Sequence, residues 1–174
     1  SDIEFSDFRE YTLGDDYRSI DWNAYARFER LFIKLYMEER EANITIFLDT
    51  STSMDQGEPS KGVLAKKLAV IFAYMALSNY DRVGIASLKD ATWSQLPYFS
   101  GKPGFARALE FVDELPFGGD THLNQSIPAF APIHGRKGIS IVLSDFLDRE
   151  GYKEAFEYLK FQQQDIMAIQ VLSP

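Results

Sequence analysis

The sequence predicts an α/β fold, Rossmann-like and doubly wound, with a mostly parallel sheet flanked by helices on both faces. From residue 44 onward, short runs rich in β-branched and other apolar residues alternate with amphipathic segments. Four runs are almost uniformly apolar, as expected of parallel strands covered on both faces: residues 44–48, 83–88, 139–143 and 166–171. We therefore expect five or six strands with helices between them.

Apolar spacing predicts helices over residues 62–79, 105–115 and 152–163. The side chains expected to face the sheet recur at helical intervals: Leu64, Leu68, Ile71, Met75, Phe105, Leu109, Val112, Ala155, Phe156 and Leu159. A short helical stretch is expected at residues 122–127, ahead of Pro128. Residues 93–98 are expected to form an edge strand, hairpinned onto residues 83–88.

The first 40 residues differ from the rest because they are polar and aromatic with little periodicity. Only residues 31–37 alternate apolar and polar side chains, which predicts a half-buried strand. We expect residues 1–40 to pack, as a separate segment, on an α/β domain of residues 41–174. Because the chain stops on a predicted strand, we expect a domain cut from a longer protein and truncated at its C-terminus.

Charge and composition exclude several classes of function. Eighteen basic against 26 acidic residues leave a net charge of −8, which disfavours nucleic acid and anionic membrane surfaces as partners. The absence of cysteine excludes disulfides, thiolate metal sites and a cysteine nucleophile. The longest apolar run, residues 68–77, is about half of the roughly 20 residues that span a bilayer, so we expect no membrane contact by this fragment.

Oxygen-bearing side chains follow two of the predicted strands and one glycine-rich loop. Asp49, Ser51 and Ser53 alternate directly after residues 44–48, Asp145 follows residues 139–143, and Thr121 follows a Gly-Gly pair. The carboxyl ends of parallel strands share one edge of a sheet, where ligands bind. Two carboxylates and three hydroxyls suit Mg²⁺ or Mn²⁺. Because the two carboxylates only neutralise a divalent ion, the bound metal would still attract a carboxylate from another protein.

These five residues, in this order on an alternating β/α pattern, resemble the metal-ion-dependent adhesion site (MIDAS) of von Willebrand factor A (vWA) domains. The resemblance implies that the two serines and the threonine bind the metal directly or through water. It also implies that the aspartates often bind through water, and that an acidic residue of a partner protein completes the octahedron.

Two further stretches, residues 9–22 (REYTLGDDYRSIDW) and 79–84 (NYDRVG), are similar to the signature of the bacterial domain-of-unknown-function family 58, a vWA-like group. The resemblance spans nearly the whole chain. Leu13 replaces a usual proline, Tyr25 a usual small residue, and Pro128 interrupts the helix after Thr121. The family implies a prokaryotic parent protein, often membrane-anchored outside this fragment, with a cytoplasmic-facing domain that works with MoxR-type AAA+ ATPases.

Three functions remain open at this point. The leading hypothesis is a non-enzymatic module whose Mg²⁺ captures an acidic residue of a partner protein. The alternatives are a Mg²⁺-dependent hydrolase, for which only Asp120 or His122 offers a general base, and a vWA-like scaffold that binds no metal. In simpler interpretations Asp49, Ser51 and Ser53 only form an N-cap and turn cluster before the following helix, Thr121 only caps a helix, and Asp145 only forms a turn. We assign no catalytic residue.

Overall fold

The computed structural model describes residues 9–11, 29, 42–89 and 94–173. Six strands form one sheet in the order β1-β6-β5-β2-β3-β4. Their bounds are β1 Arg9–Tyr11, β2 Asn43–Asp49, β3 Arg82–Leu88, β4 Gln95–Phe99, β5 Gly138–Ser144 and β6 Gln164–Val171. All neighbouring strands run parallel except β3 and β4, which are antiparallel. The predicted fold class and its antiparallel edge strand are confirmed.

Between β2 and β6 the described residues form four helices: α1 Lys61–Ser78, α2 Lys102–Glu114, the short α3 Leu123–Ser126, and α4 Lys153–Phe161. Alternate side chains of β2 enter two separate cores. Ile44 and Ile46 face α1 and α2, whereas Phe47 faces α3 and α4. This two-sided burial explains the near-continuous apolar sequence of the central strands. Among the described residues, no helix has the length and apolarity that a membrane span requires.

Two inward faces differ from the sequence prediction. In α1, Leu64 is buried as expected and Leu68 partly so, but Ile71 is 52% and Met75 38% exposed. The buried stripe consists instead mainly of small residues, together with Phe72 and Leu77: Ala65, Ala69, Ala73 and Ala76. Alanine side chains let a helix lie close to a sheet, so the stripe that packs is not the one with the largest residues.

In α2, Leu109 is 46% exposed, Val112 is buried and Phe105 is partly buried. The neighbouring Ala108 takes the inward position that was expected for Leu109. The inward face of α4, formed by Ala155, Phe156 and Leu159, is confirmed.

The N-terminal segment contributes one described strand, which the sequence did not predict. β1 extends the parallel sheet beside β6, where Arg9 pairs with Ile169 and Tyr11 with Val171. The predicted strand at residues 31–37 lies outside the described residues. So do residues 90–93, which include the first residue of the predicted edge strand at residues 93–98.

Candidate metal centre

The pairing of β2 with β5 sets the position of both predicted carboxylates. Leu48 of β2 pairs with Leu143 of β5, so the two strands end side by side. Asp49 is the last residue of β2, and Asp145 directly follows the last residue of β5. Both side chains are fully buried. Two acidic groups therefore lie together beneath the carboxyl edge of the sheet.

The turn after β2 brings two serine hydroxyls over these carboxylates. The backbone N–H of Ser51 donates to Asp49 Oδ1 over 2.9 Å. A 3-10 turn at Thr52–Met54 then directs Ser53 back towards the sheet. Ser53 Oγ donates to Asp145 Oδ2 at 2.7 Å and lies 3.3 Å from Ser51 Oγ.

Two backbone hydrogen bonds hold the loop that carries Thr121 against the same turn. Gly118 N donates to the Thr50 carbonyl, and Thr52 N donates to the Gly119 carbonyl, each at 2.9 Å. These two bonds place Thr121 Oγ1 against Ser51 Oγ and 3.3 Å from Asp49 Oδ1. The interruption at Pro128 therefore does not carry Thr121 away from the other four residues.

At α1 and α3 the capping roles that competed with the metal interpretation fall to other residues, and Ser51 holds the N-cap position of the 3-10 turn without a side-chain cap bond. The N-cap of α1 is Ser60, whose Oγ accepts from Val63 N at 3.1 Å. At the start of α3, Leu123 N donates to Asp148 Oδ2 at 3.0 Å, so Thr121 caps neither helix. Asp145 does form the competing strand-end turn, because Leu147 N donates to its Oδ1 at 3.2 Å. Its other oxygen still faces the hydroxyl cluster.

Two residues of the site were missed by sequence reasoning. Ser144 Oγ donates to Asp49 Oδ2 at 2.6 Å, and Lys61 Nζ forms an ion pair with Asp145 Oδ2 at 2.9 Å. Lys61 occupies the first position of α1, where the helix dipole disfavours a cation, but no neighbouring residue in the sequence identifies Asp145 as its partner.

Burial dominates the electrostatics of Asp49. Desolvation raises its pKa from 3.8 to about 6, against the opposing effect of hydrogen bonds from Ser144 and Ser51. The nearby charge of Asp145 adds to the increase. With both aspartates ionised and Lys61 protonated, the site has a formal charge of −1 − 1 + 1 = −1.

The donor set fits Mg²⁺ or Mn²⁺. A hydroxyl that binds a cation must direct its hydrogen elsewhere, and here two hydroxyls have buried carboxylate oxygens within reach: Ser53 donates to Asp145, and Thr121 can donate to Asp49 at 3.3 Å or to the closer Ser51 Oγ. Their oxygen lone pairs are then available to an ion. Neighbouring ligands of octahedral Mg²⁺ lie roughly 3 Å apart, close to the 3.3 Å between the two serine oxygens.

A surface cavity of about 440 Å³ lies on the hydroxyl side of the site. It is lined by Ser51, Thr52 and Ser53, by residues 119–122, and by residues 147–150 after β5. The exposed Asp120 lines this cavity, whereas Asp55 is exposed elsewhere. Ser53 and Thr121 are partly exposed, Ser51 lines the cavity at 1% exposure, and Asp49 and Asp145 are fully buried. An ion bound here would keep a coordination position open towards the cavity.

Three other residues that line the cavity, His122, Asp148 and Glu150, bring ligand atoms within 4.8 Å of one another. Asp148 is already engaged, since its carboxylate accepts from the backbone N–H groups of Leu123 and Glu150. His122 Nδ1 lies 3.9 Å from Glu150 Oε2. This cluster lines the same cavity as the three hydroxyls.

Comparison with known proteins places the chain in a bacterial sequence family. The family model described as "Protein of unknown function DUF58" matches residues 7–174. The uncharacterized protein Rv1480 of Mycobacterium tuberculosis is 25% identical over 171 residues, which cover 95% of this chain and 54% of that protein. The chain therefore spans about half the length of the curated relatives it matches.

Solved structures support the fold. An aerotolerance-related membrane protein of Bacteroides fragilis superposes with a TM-score of 0.58 at 21% identity, over 72% of this chain and 65% of that one. A von Willebrand factor type A structure from Catenulispora acidiphila superposes with a TM-score of 0.57 at 18% identity, over 74% and 32% of the two chains. The fold is therefore vWA-like.

Proposed function

The chain belongs to the DUF58 family, and from the geometry of its site we propose that it is a metal-dependent protein-interaction module. The observation that carries this proposal is the layered arrangement of the donors. Three hydroxyls border an open cavity, and two carboxylates lie buried behind them. The vWA-like fold is consistent with an interaction role.

In this proposal Ser51, Ser53 and Thr121 hold Mg²⁺ or Mn²⁺. Asp49 and Asp145 accept the hydroxyl hydrogens, or bind the ion through water, and supply negative charge from behind. The site charge of −1 leaves a bound divalent ion with a net charge of +1. An acidic side chain of a partner protein would enter the cavity and complete the coordination.

The chemistry proposed is binding, and no residue is given a catalytic role. Asp120, one of the two candidate bases, is solvent-exposed and lacks the desolvated setting that tunes a general base. The other candidate, His122, lines the cavity, so the hydrolase stays the second candidate function. The family resemblance supports a MoxR-type AAA+ ATPase as the partner, and hence a domain that faces the cytoplasm. The parent protein, about twice this length in its relatives, would supply any membrane anchor.

The direct test is calorimetry with MgCl₂ and MnCl₂ on the purified domain. Thr121→Val removes one proposed ligand while keeping the side-chain volume, and we expect metal affinity to fall at least about tenfold, as for a lost charge-assisted contact. Thr52→Val is the matched control. Its hydroxyl donates to the Gly119 carbonyl at the exposed side of the loop, and the Thr52 N–H still holds the same carbonyl.

The second stage uses a purified MoxR-type ATPase from the same organism. Capture that requires Mg²⁺, reverses with chelator and fails for Thr121→Val would support the proposal. Equal metal binding by the wild type and Thr121→Val would contradict the ligand set. Turnover of a generic phosphate ester that disappears in Asp49→Asn would favour the hydrolase instead.

A further inference from the structure

One charged residue of the site has no place in the ligand set. Lys61 is 7% exposed, and its ammonium donates to Asp145 Oδ2 at 2.9 Å. The same oxygen accepts from Ser53 Oγ at 2.7 Å, and Asp145 Oδ1 accepts from Leu147 N. Asp145 is thus tied to a cation on one side and to a proposed metal ligand on the other.

This placement of Lys61 is unfavourable for stability. Lysine is almost never buried unless it is paired, and an ammonium in the first turn of a helix opposes the helix dipole. A buried ion pair adds little or nothing to stability over apolar side chains of similar volume. The stability of the fold therefore does not explain a charge at this position. A metal site would explain it, because the charge changes the affinity of the site for an ion.

We propose that Lys61 is a built-in counter-cation that weakens metal binding by this site and strengthens the capture of a carboxylate by the bound metal. The inference rests on the proposed metal site and adds a residue that sets its charge. Lys61 acts on the ion through Asp145 and is not itself a ligand.

The balance among the three buried charges, Asp49, Asp145 and Lys61, supports both halves of the proposal. Without Lys61, the charges of Asp49 and Asp145 would cancel those of a divalent ion, and an incoming carboxylate would meet a neutral centre. With Lys61, one positive charge remains, in a site where water screens poorly. The same positive charge repels the metal, so loose metal binding accompanies strong carboxylate binding.

The test compares charge-removing variants with a matched control. Lys61→Met removes the ammonium, and Lys61→Gln keeps a hydrogen-bond donor to Asp145 without the charge. Lys67→Met makes the same change in net charge on the same helix, at an exposed position. Mn²⁺ affinity is measured by calorimetry, and acetate binding to the Mn²⁺-loaded protein by electron paramagnetic resonance.

We expect Lys61→Met and Lys61→Gln to bind Mn²⁺ on the order of tenfold more tightly than the wild type, and acetate several-fold more weakly. Lys67→Met is expected to stay within about twofold for both. If Lys61→Met fails to fold, the Mn²⁺ and acetate affinities of Lys61→Gln alone test the proposal. Loss of stability is expected in the Lys61 variants under either role, whereas a purely structural role would leave these two affinities unchanged.

The possible failures are distinguishable. Unchanged or weaker Mn²⁺ affinity in the Lys61 variants, with normal binding by the wild type, overturns the role of Lys61 and leaves the proposed function standing. Tighter Mn²⁺ binding without weaker acetate binding also overturns the role of Lys61, because the proposal requires both affinities to change, in opposite directions. Absence of Mn²⁺ binding by the wild type overturns both proposals.

Discussion

Ser144 Oγ donates a 2.6 Å hydrogen bond to Asp49 Oδ2 and thereby joins the ends of two neighbouring parallel strands. Ser144 also accepts from the backbone N–H of Phe146 at 3.0 Å. The hydroxyl is therefore held in one orientation, with its hydrogen directed at the buried carboxylate. This contact favours the ionised form of Asp49, the form that a metal requires.

Replacing Ser144 by alanine is expected to weaken metal binding. Loss of its hydrogen bond raises the pKa of Asp49 above the present value of about 6, so protons compete better with the metal near neutral pH. We expect roughly tenfold lower Mn²⁺ affinity at pH 7, the equivalent of about 1.4 kcal/mol for a hydrogen bond to a charged group. Calorimetry at pH 7 and pH 8 measures the Mn²⁺ affinities of the variant and the wild type.

Ser140→Ala is the matched control for that variant. Ser140 is equally buried on the same strand, but its hydroxyl donates to Gln164 Oε1, away from the carboxylates. It should lower stability without changing metal affinity. Equal effects of the two variants on Mn²⁺ binding would contradict the role given to Ser144.

Asp49 should make the metal-free domain less stable as the pH rises. Its folded pKa of about 6 exceeds its ordinary value of 3.8, so the folded state binds the proton more tightly than the unfolded state. The stability linked to this proton is fully present below about pH 4 and is lost as the pH rises through 6. Asp49→Asn imitates the protonated side chain and lacks this loss.

We therefore expect the unfolding free energy of Asp49→Asn, relative to that of the wild type, to increase by up to about 3 kcal/mol from pH 4 to pH 8. Urea denaturation in the presence of a chelator measures the difference. Parallel pH profiles for the two proteins would show that burial does not penalise the charge of Asp49.

Separate removal of the two partners of the buried ion pair should be far more harmful than their joint removal. Lys61→Met leaves Asp145 as an uncompensated buried charge, and Asp145→Asn does the same to Lys61. Each is expected to cost about 3–5 kcal/mol. The double variant leaves neither charge buried and should recover most of the loss. A double-mutant cycle by chemical denaturation with chelator measures the coupling, and strict additivity would refute it.

The start of α1 lies so close to the loop before Thr121 that we expect Gly62 to tolerate no larger side chain without a loss of stability. A Cβ on Gly62 would lie 2.1 Å from the Phe117 ring and 3.1 Å from the Met54 carbonyl oxygen. Gly62→Ala must therefore move Phe117 or the start of α1, at a cost of about 1–3 kcal/mol. Gly118→Ala is the control, because its Cβ meets nothing within 4 Å. Thermal unfolding compares them, and an equal change in melting temperature would be the contrary result.

The sequence by itself determined the α/β architecture and the shared location of Asp49, Ser51, Ser53, Thr121 and Asp145. Both follow from short-range rules. Doubly buried parallel strands need continuous apolar runs, and the carboxyl ends of parallel strands meet at one edge. The sequence also predicted the packed face of α4, where the buried residues are the expected Ala155, Phe156 and Leu159.

Only the tertiary structure decided how the charges of the site are balanced. Lys61 is 84 residues from Asp145, and Ser144 is 95 residues from Asp49. Lys61 reaches Asp145 because alanines bring α1 close to the sheet, and Ser144 reaches Asp49 because β2 and β5 pair in register. Helix approach and strand register are set by packing across the whole domain. No local pattern in the sequence specifies them.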